Sequence, residues 1–342
     1  MRGPRAYLNA IRHPEGFHGH GRPSDFFEGW YVKLVSADLR QRYAVIPGIF
    51  RGPRADRGVG DHAFVQVLNG ITGEASYHRF EADDFEASAT SFDVRVGPNH
   101  FSADGFTLDL PELVGTVNVT SPLDPWPVTA RSPGIMGWYG LVPFMECFHG
   151  VVSFGHDLSG SVVSPASGAA SSGKRTISFE GGRGYIEKDW GSAFPAGYVW
   201  LNSNHIVAEP ESCFIGSVAI IPWLRRPFRG FLIGLRRKGE LLTWTTYNRS
   251  VEKVLSITDT HIDWSVEGPH GVIEVHALRQ RGGLLHAPLR TAMLERVDET
   301  LDATLELRYT NRHGRVSLES QALCAGMEVF GDTDRLLDMA GH

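Results

Sequence analysis

Short runs of apolar and polar residues alternating with period two recur along the chain, set between turn signals. Runs rich in Val, Ile, Phe, Tyr, Trp and Thr occupy Gly29–Val35, Arg42–Pro47, Ala63–Leu68, Ser91–Val96, Gly115–Val119, Phe148–Phe154, Thr176–Glu180 and Tyr198–Ile206. They continue through Phe214–Ile221, Gly230–Leu235, Leu241–Tyr247, His261–Ser265, Gly271–Ala277, Thr304–Tyr309 and Arg315–Ser320. Bounded by Gly, Pro, Asn and Asp, such runs predict strands. Helical spacing is scarce: Ala6–Ile11 and Pro288–Asp298 are the short candidates. Strands without intervening helices predict an all-β architecture of barrels or sandwiches rather than βαβ units.

One stretch breaks the alternation of apolar with ordinary polar residues. Gly184-Tyr185-Ile186-Glu187-Lys188-Asp189-Trp190-Gly191 places two carboxylates and a lysine beside Tyr, Ile and Trp, and Tyr198–His205 follows closely. Such mixtures suit a half-buried site where apolar walls hold a few oriented polar groups. An edge strand with one solvated face is the plainer reading. On a strand, Tyr185, Glu187 and Asp189 share one face and Ile186, Lys188 and Trp190 the other. Either face could line a pocket. If the second is the outer one, Lys188 tolerates replacement.

Length changes the picture next. At 342 residues the chain exceeds the usual single domain, so two domains are expected. A boundary near Gly191–Pro195, punctuated by Gly and Pro, divides the chain into 1–190 and 191–342. The low-complexity segment Ser164–Gly173 reads as a linker or a long hairpin loop. Gly29-Trp30-Tyr31 and Gly197-Tyr198-Val199-Trp200 both open aromatic strands, a hint of two similar halves.

Hydrophobic residues at 42% and charged residues at 21% suit a soluble globular chain, and the net charge of -6 argues against a nucleic-acid partner. The 3 cysteines, Cys147, Cys213 and Cys324, are far apart and contain no Cys-x-x-Cys pair, which disfavours a disulfide scaffold or structural zinc and points to a reducing compartment. No apolar signal-peptide core is visible before Gly21, and the tract Cys213–Leu224 is too short for a membrane span. The expectation is cytoplasmic, with peripheral membrane contact open.

Motif chemistry proceeds by elimination. Gly182-Arg183-Gly184 lacks the third glycine and the following helix of a dinucleotide site, and neither a P-loop nor a Gly-x-Ser-x-Gly elbow occurs. Glu15-x-x-His18 and Glu146-x-x-His149 match a metal-ligand spacing that works on helices, where residues three apart share a face; on strands they point apart. His18-Gly19-His20 with Asp25 is loosely cupin-like, but a Gly/His-rich loop is the simpler reading. No metal and no cofactor are expected. In Phe26–Lys33, Glu28 shares a face with Trp30, a costly placement unless the carboxylate is paired or functional. Ser132–Gly140, with Trp138 and Tyr139, suits a loop closing over an apolar ligand. Pro143–Gly150 places Glu146 with Phe148, and Cys147 with His149. Singly, each His or Glu reads as a hydrogen-bonded strand tie; together, in aromatic company, they point to a ligand pocket.

Phe26–Lys33, Ser132–Gly150, Gly184–Gly191 and Tyr198–His205 together resemble the tocopherol cyclase-like family, in its bacterial branch, from about Gly19 to Gly331. The resemblance implies two lipocalin-like β-barrel domains packed together, related in architecture to carotenoid hydratases and some Diels–Alder cyclases. The family's plant enzymes close the chromanol ring of a prenylated hydroquinone without metal or redox cofactor. Glu28-Gly29-Trp30-Tyr31 matches one motif, with Val32 in place of Phe. Glu187-Lys188 and Trp190-Gly191 match another, with Asp189 in place of Asn. Tyr198, Val199, Leu201 and Ser203 also differ from the plant strand.

Cyclising a prenyl quinol requires protonating a trisubstituted alkene and trapping the tertiary cation with a phenolic oxygen. A carboxylic acid must therefore be held protonated and dry. The resemblance favours the acidic face as the pocket wall, with Glu187 as the acid and Asp189 as second choice. Glu28, Trp30, Tyr31, Trp138, Tyr139, Glu146, His149, Tyr185, Trp190, Trp200, Asn202 and Asn204 are the candidate substrate-binding residues. Trp30, Trp138, Trp190 and Trp200 are expected to border one cavity. Three readings stay open: a cofactor-independent cyclase or isomerase of a prenylated quinol or related isoprenoid lipophile, a non-catalytic lipocalin-type binder, and an isoprenoid hydratase.

Overall fold

The computed structural model describes residues 12–56, 60–129, 133–142, 145–165, 173–223 and 226–339. The candidate helix Ala6–Ile11 and most of the low-complexity segment lie outside them. Among the described residues the regular structure is nearly all strand, arranged as two large antiparallel sheets of the lipocalin-like type.

The first sheet holds β1 (Phe26–Val35), β2 (Arg42–Arg51), β3 (His62–Asn69), β4 (Ala75–Phe80), β5 (Phe85–Ala87) and β6 (Asp93–Val96). It continues with β7 (Asn99–Ser102), β8 (Gly105–Asp109), β9 (Val114–Val119), β10 (Cys147–Pro165), β11 (Lys174–Ser178) and β12 (Gly182–Gly191). The second holds β13 (Gly197–Ser203), β14 (Cys213–Ile221), β15 (Phe228–Arg237), β16 (Glu240–Thr245) and β17 (Val251–Ile257). It ends with β18 (His261–Gly268), β19 (Gly271–Leu278), β20 (Gly283–Pro288), β21 (Met293–Asn311) and β22 (Val316–Gly331).

In each sheet the first strand pairs with the last, β1 with β12 and β13 with β22, so the beginning and end of each sheet's chain lie side by side within the strand order. In the first sheet β6 also lies against β2 and β3, and in the second β16 lies against β18. These contacts curl each sheet so that its end strands approach its own face.

Alternation sorts side chains between three cores. On β1 and β12, Phe26, Trp30, Val32, Leu34 and Ile186 fill the inside of the first sheet. On β13 and β22, Val199, Leu201, Ala325 and Met327 fill the inside of the second. The opposite faces meet each other: Tyr31, Val151, Phe154 and Tyr185 from the first sheet pack with Tyr198, Trp200, Ile215 and Leu301 from the second.

Pro288–Asp298 is not a helix. It is the hairpin between β20 and β21, with Ala287 paired to Leu294 and Leu285 to Val297. The turn, closed by the Leu289 amide donating to the Ala292 carbonyl, brings apolar residues to a spacing that imitates helical period. A short helix, α1 (Thr333–Asp338), caps the second core through Leu336 and is N-capped by Asp332. Among the described residues the three cysteines are free thiols, and no helix is long and apolar enough to cross a membrane.

Candidate functional site

The face of β12 that carries Tyr185, Glu187 and Asp189 looks away from the first core and onto the second sheet. Its partner there is the corresponding seam of the second sheet, β13 with β22. Between the two seams lies a cavity of about 180 Å³, walled by Phe27, Ile46, Phe64, Met136, Phe148, Phe194, Ile221, Phe228 and Leu285. Its polar groups are few: Glu187, Asp189, His149, Tyr31, Tyr198, Trp200, Glu299 and Glu328 among them. Neither curled sheet contributes this space from its own centre, since each inside is filled by the cores described above.

Glu187 is nearly fully buried. The Tyr185 hydroxyl donates to its Oε2 at 2.5 Å and the Trp200 indole N–H at 3.2 Å. Burial pushes its pKa up to about 7; the neighbouring Asp189 adds to the rise, while His149, Tyr185 and Trp200 pull it back. His149 bridges the two carboxylates. Its Nδ1 lies 2.9 Å from Asp189 Oδ1, and its Nε2 lies 3.5 Å from Glu187 Oε2, within ion-pair reach but making no hydrogen bond. Burial works against a charged ring here, but Asp189 and Glu187 outweigh it and hold the imidazole pKa at about 9.

His149, Glu187 and Asp189 offer ligating atoms within 4.8 Å of one another. The ring stands between the carboxylates and presents opposite nitrogens to them, so the three do not converge on one point. The arrangement suits moving a proton better than chelating an ion. The Glu146-x-x-His149 spacing comes apart, as strand geometry requires: Glu146 pairs with Arg290 while His149 turns to the cavity.

The second sheet adds two carboxyls that the sequence did not single out. Glu299 and Glu328 are direct partners across β21 and β22. The Tyr31 hydroxyl donates to Glu299 Oε1, and the Tyr198 hydroxyl donates to Glu328 Oε2 at 2.7 Å. Burial raises the Glu299 pKa well above the carboxyl range, and the facing Glu328 adds to it. Burial also raises Glu328, while Glu299 and Tyr198 draw it back. Burial, with Asp189 beside it, pushes the Cys147 thiol pKa up, away from the reactive thiolate form.

The sequence candidates divide accordingly. Glu187, Asp189, Tyr31, Tyr139, His149 and Trp200 line the cavity, and Tyr185 stands behind Glu187 as its donor. Glu28 and Trp30 do not line it; they point into the first core. There Glu28 meets Lys188 Nζ at 2.5 Å and His18 Nδ1 at 3.0 Å, all three fully buried, with Nζ 4.6 Å from the Trp30 ring. Trp190 stacks between His18 and Phe148 and borders only a smaller side pocket shared with His149. Lys188 is therefore not on an outer face. Trp138 is 45% exposed and stacks on Tyr139 at the surface, and Glu146 is held by Arg290. Asn202 accepts from Lys33 and Asn204 donates to the Gly184 carbonyl, both as buried strand ties. Of the four tryptophans expected to border one cavity, only Trp200 lines the cavity between the sheets. Glu328, a lone carboxylate in Gly326–Phe330, carries the same cue that drew attention to Glu28. Glu299 lies between the Pro288–Asp298 helical candidate and the Thr304–Tyr309 run, where the sequence offers no strand face to place it on.

Comparison with known proteins gives the same outline. The chain is 24% identical to a probable chloroplastic tocopherol cyclase of Oryza sativa subsp. japonica, covering 94% of this chain and 79% of that one. It is 24% identical to the chloroplastic tocopherol cyclase of Zea mays, covering 96% and 80%. Among solved structures it resembles a putative AttH of Nitrosomonas europaea, with a TM-score of 0.54 at 12% identity, over 93% of this chain and 95% of that one. It also resembles CghA bound to Sch210972, with a TM-score of 0.56 at 9% identity, over 91% and 89%. At these identities the structural likeness speaks for the fold alone. The family model described as tocopherol cyclase-like matches residues 117–331, and the chain belongs to the tocopherol cyclase-like family.

Proposed function

We propose that this protein is a cofactor-independent cyclase or isomerase that acts on a prenylated quinol or a related isoprenoid lipophile in the cavity between its two sheets. The reaction is transfer of a proton from a buried carboxyl to an alkene carbon, followed by capture of the cation by a hydroxyl of the same molecule. Family membership supports the reaction class, and the apolar walls fit a lipophile. The observation that carries the reading is Glu187. It is a carboxyl poised near neutral pKa on an apolar wall, able to hold or release a proton at working pH. Tyr31, Trp200, Phe27 and Phe64 surround the cavity with aromatic faces and edges whose quadrupoles can lower the energy of a tertiary cation.

A binder without chemistry would gain nothing from several buried carboxyls with raised pKa, because each one charged in a dry site destabilises the fold. The test is Glu187→Gln, assayed against a panel of prenylated hydroquinones by product analysis and by binding. The expected outcome is a loss of turnover of about 10²–10⁴-fold with affinity nearly intact, because the amide keeps shape and loses the ability to exchange a proton. Near wild-type turnover in the folded variant would show that Glu187 takes no part.

A further inference from the structure

Two carboxyl centres, one from each sheet, line the same cavity, and their surroundings differ in kind. Glu187 is held by donors, the Tyr185 hydroxyl and the Trp200 indole, with His149 beside it. Donors aimed at a carboxylate favour its ionised form. Glu299 is wholly buried, takes one donor on Oε1 from Tyr31, has no other donor on Oε2, and its carboxyl is hydrogen-bonded to that of Glu328. Abreast of it on the next strand stands Glu328. Two carboxyls side by side in apolar surroundings do not both ionise; they share a proton. A carboxyl pair that shares one proton and takes no further donor on that oxygen, on a cavity wall, is placed to give the proton to a ligand.

We propose that the cavity separates donor from acceptor: Glu299, sharing a proton with Glu328, protonates the alkene, and Glu187, flanked by His149 and Asp189, accepts the proton of the trapping hydroxyl. This rests on the alkene-protonation reading above and narrows its substrate to a lipophile carrying both a trisubstituted alkene and a hydroxyl within ring-forming reach. The alkene π pair forms a new C–H bond with the Glu299 proton as its O–H bond breaks, leaving a tertiary cation and an anionic Glu299–Glu328 pair. A lone pair of the hydroxyl oxygen forms the C–O bond, its O–H bond breaks, and that proton goes to the Glu187 carboxylate. Once product leaves, exchange with solvent resets both centres, so no co-reactant is consumed. Tyr31 is a positioning residue: by occupying Oε1 of Glu299 it leaves Oε2 to carry the proton shared with Glu328.

The groups that face the donor pair come from several strands. Tyr31 on β1, Glu187 on β12 and Glu328 on β22 act on Glu299; Tyr198 on β13 and Asp189 on β12 act on Glu328. Lys33, buried on β1 with its pKa lowered to about 8 by burial, feels both Glu299 and Glu187.

Infrared difference titration of the intact protein tests the donor without any substrate. A protonated-carboxyl carbonyl band should persist at about pH 8, where an ordinary carboxyl of pKa about 4.3 is fully ionised. It should persist in Glu187→Gln and vanish in Glu299→Gln. In Glu328→Gln the band should remain but titrate at lower pH, since the neighbouring negative charge is gone. This second variant keeps the test decisive if Glu299→Gln fails to fold. A band that survives in folded Glu299→Gln, or that is missing from the wild type, overturns the assignment. Turnover of a prenylated hydroquinone in D₂O then tests the acceptor. Glu187→Gln should still exchange deuterium into recovered substrate through reversible protonation, whereas Glu299→Gln should show neither exchange nor product. Exchange lost in Glu187→Gln and kept in Glu299→Gln reverses the roles and overturns the proposal. Absence of turnover in the wild type, with the infrared pattern intact, fails the reaction reading while the shared proton stands.

Discussion

At the scale of single residues, the buried acids make a pH signature. The folded pKa of Glu187 is raised to about 7, so between the ordinary carboxyl value and 7 the native state holds a proton that the unfolded chain has released. The unfolded state then binds fewer protons, and stability falls as pH rises through that window, levelling above it. His149, with its pKa held up at about 9, contributes stability that is fully present below about 6.5 and is lost as pH rises through 9. Both effects have the same sign, so the melting temperature should fall between about pH 5 and pH 9. Calorimetry of Glu187→Gln against wild type isolates the first: relative to wild type, the variant should gain stability as pH rises from about 5 to 7. A flat or opposite difference would mean that Glu187 ionises as an ordinary carboxyl. The sequence made Glu187, Asp189 and His149 legible because each stands in aromatic company on a short, alternating strand. It did not reveal that the imidazole bridges two carboxylates on another strand, because His149 and Asp189 are 40 residues apart in sequence and meet only as cross-strand partners of β10 and β12.

At the scale of elements, the seam of β1 with β12 works on both faces. Outward it presents Tyr31, Tyr185, Glu187 and Asp189; inward it buries Lys188 against Glu28, with His18 completing the set. His18 also donates its backbone N–H to Glu28, so the pair ties the segment before β1 into the first core. Lys188→Met should cost about 3–5 kcal/mol in urea unfolding by stranding the Glu28 carboxylate, and Glu28→Gln/Lys188→Met should recover much of it. A tolerated Lys188→Met would mean that His18 alone suffices for the Glu28 carboxylate or that the carboxyl takes up a proton. The second seam has its own device at Gly326. A Cβ there would lie 2.5 Å from the Trp200 ring, so only glycine lets the indole lie flat and reach Glu187. Strand identity was readable from period-two runs because the alternation is a property of the chain itself. The hairpin at Pro288–Asp298 was not, since a tight turn between two strands superposes their patterns into a false helical spacing.

At the scale of the whole molecule, the cavity belongs to neither sheet alone. Titration with a long-chain prenyl quinol should quench tryptophan fluorescence saturably. Trp200→Phe should remove most of the quench, whereas Trp30→Phe and Trp138→Phe should leave it largely in place, as Trp30 is in the first core and Trp138 is at the surface. Equal loss in all three variants would put the ligand somewhere other than between the sheets.

By itself the sequence determined the all-β class, the position of most strands, the family, and the two faces of Gly184–Gly191, because each depends on residues near one another along the chain. The tertiary structure decided which face is which. It turned Glu28, Trp30, Lys188 and Trp190 away from the cavity and brought Glu299 and Glu328 into it. The physical reason is that alternation fixes only that neighbours on a strand point apart. Which side meets a ligand depends on where a second sheet lies, and Glu187 finds Trp200 and the Glu299–Glu328 pair only when β12, β13, β21 and β22 come together in space.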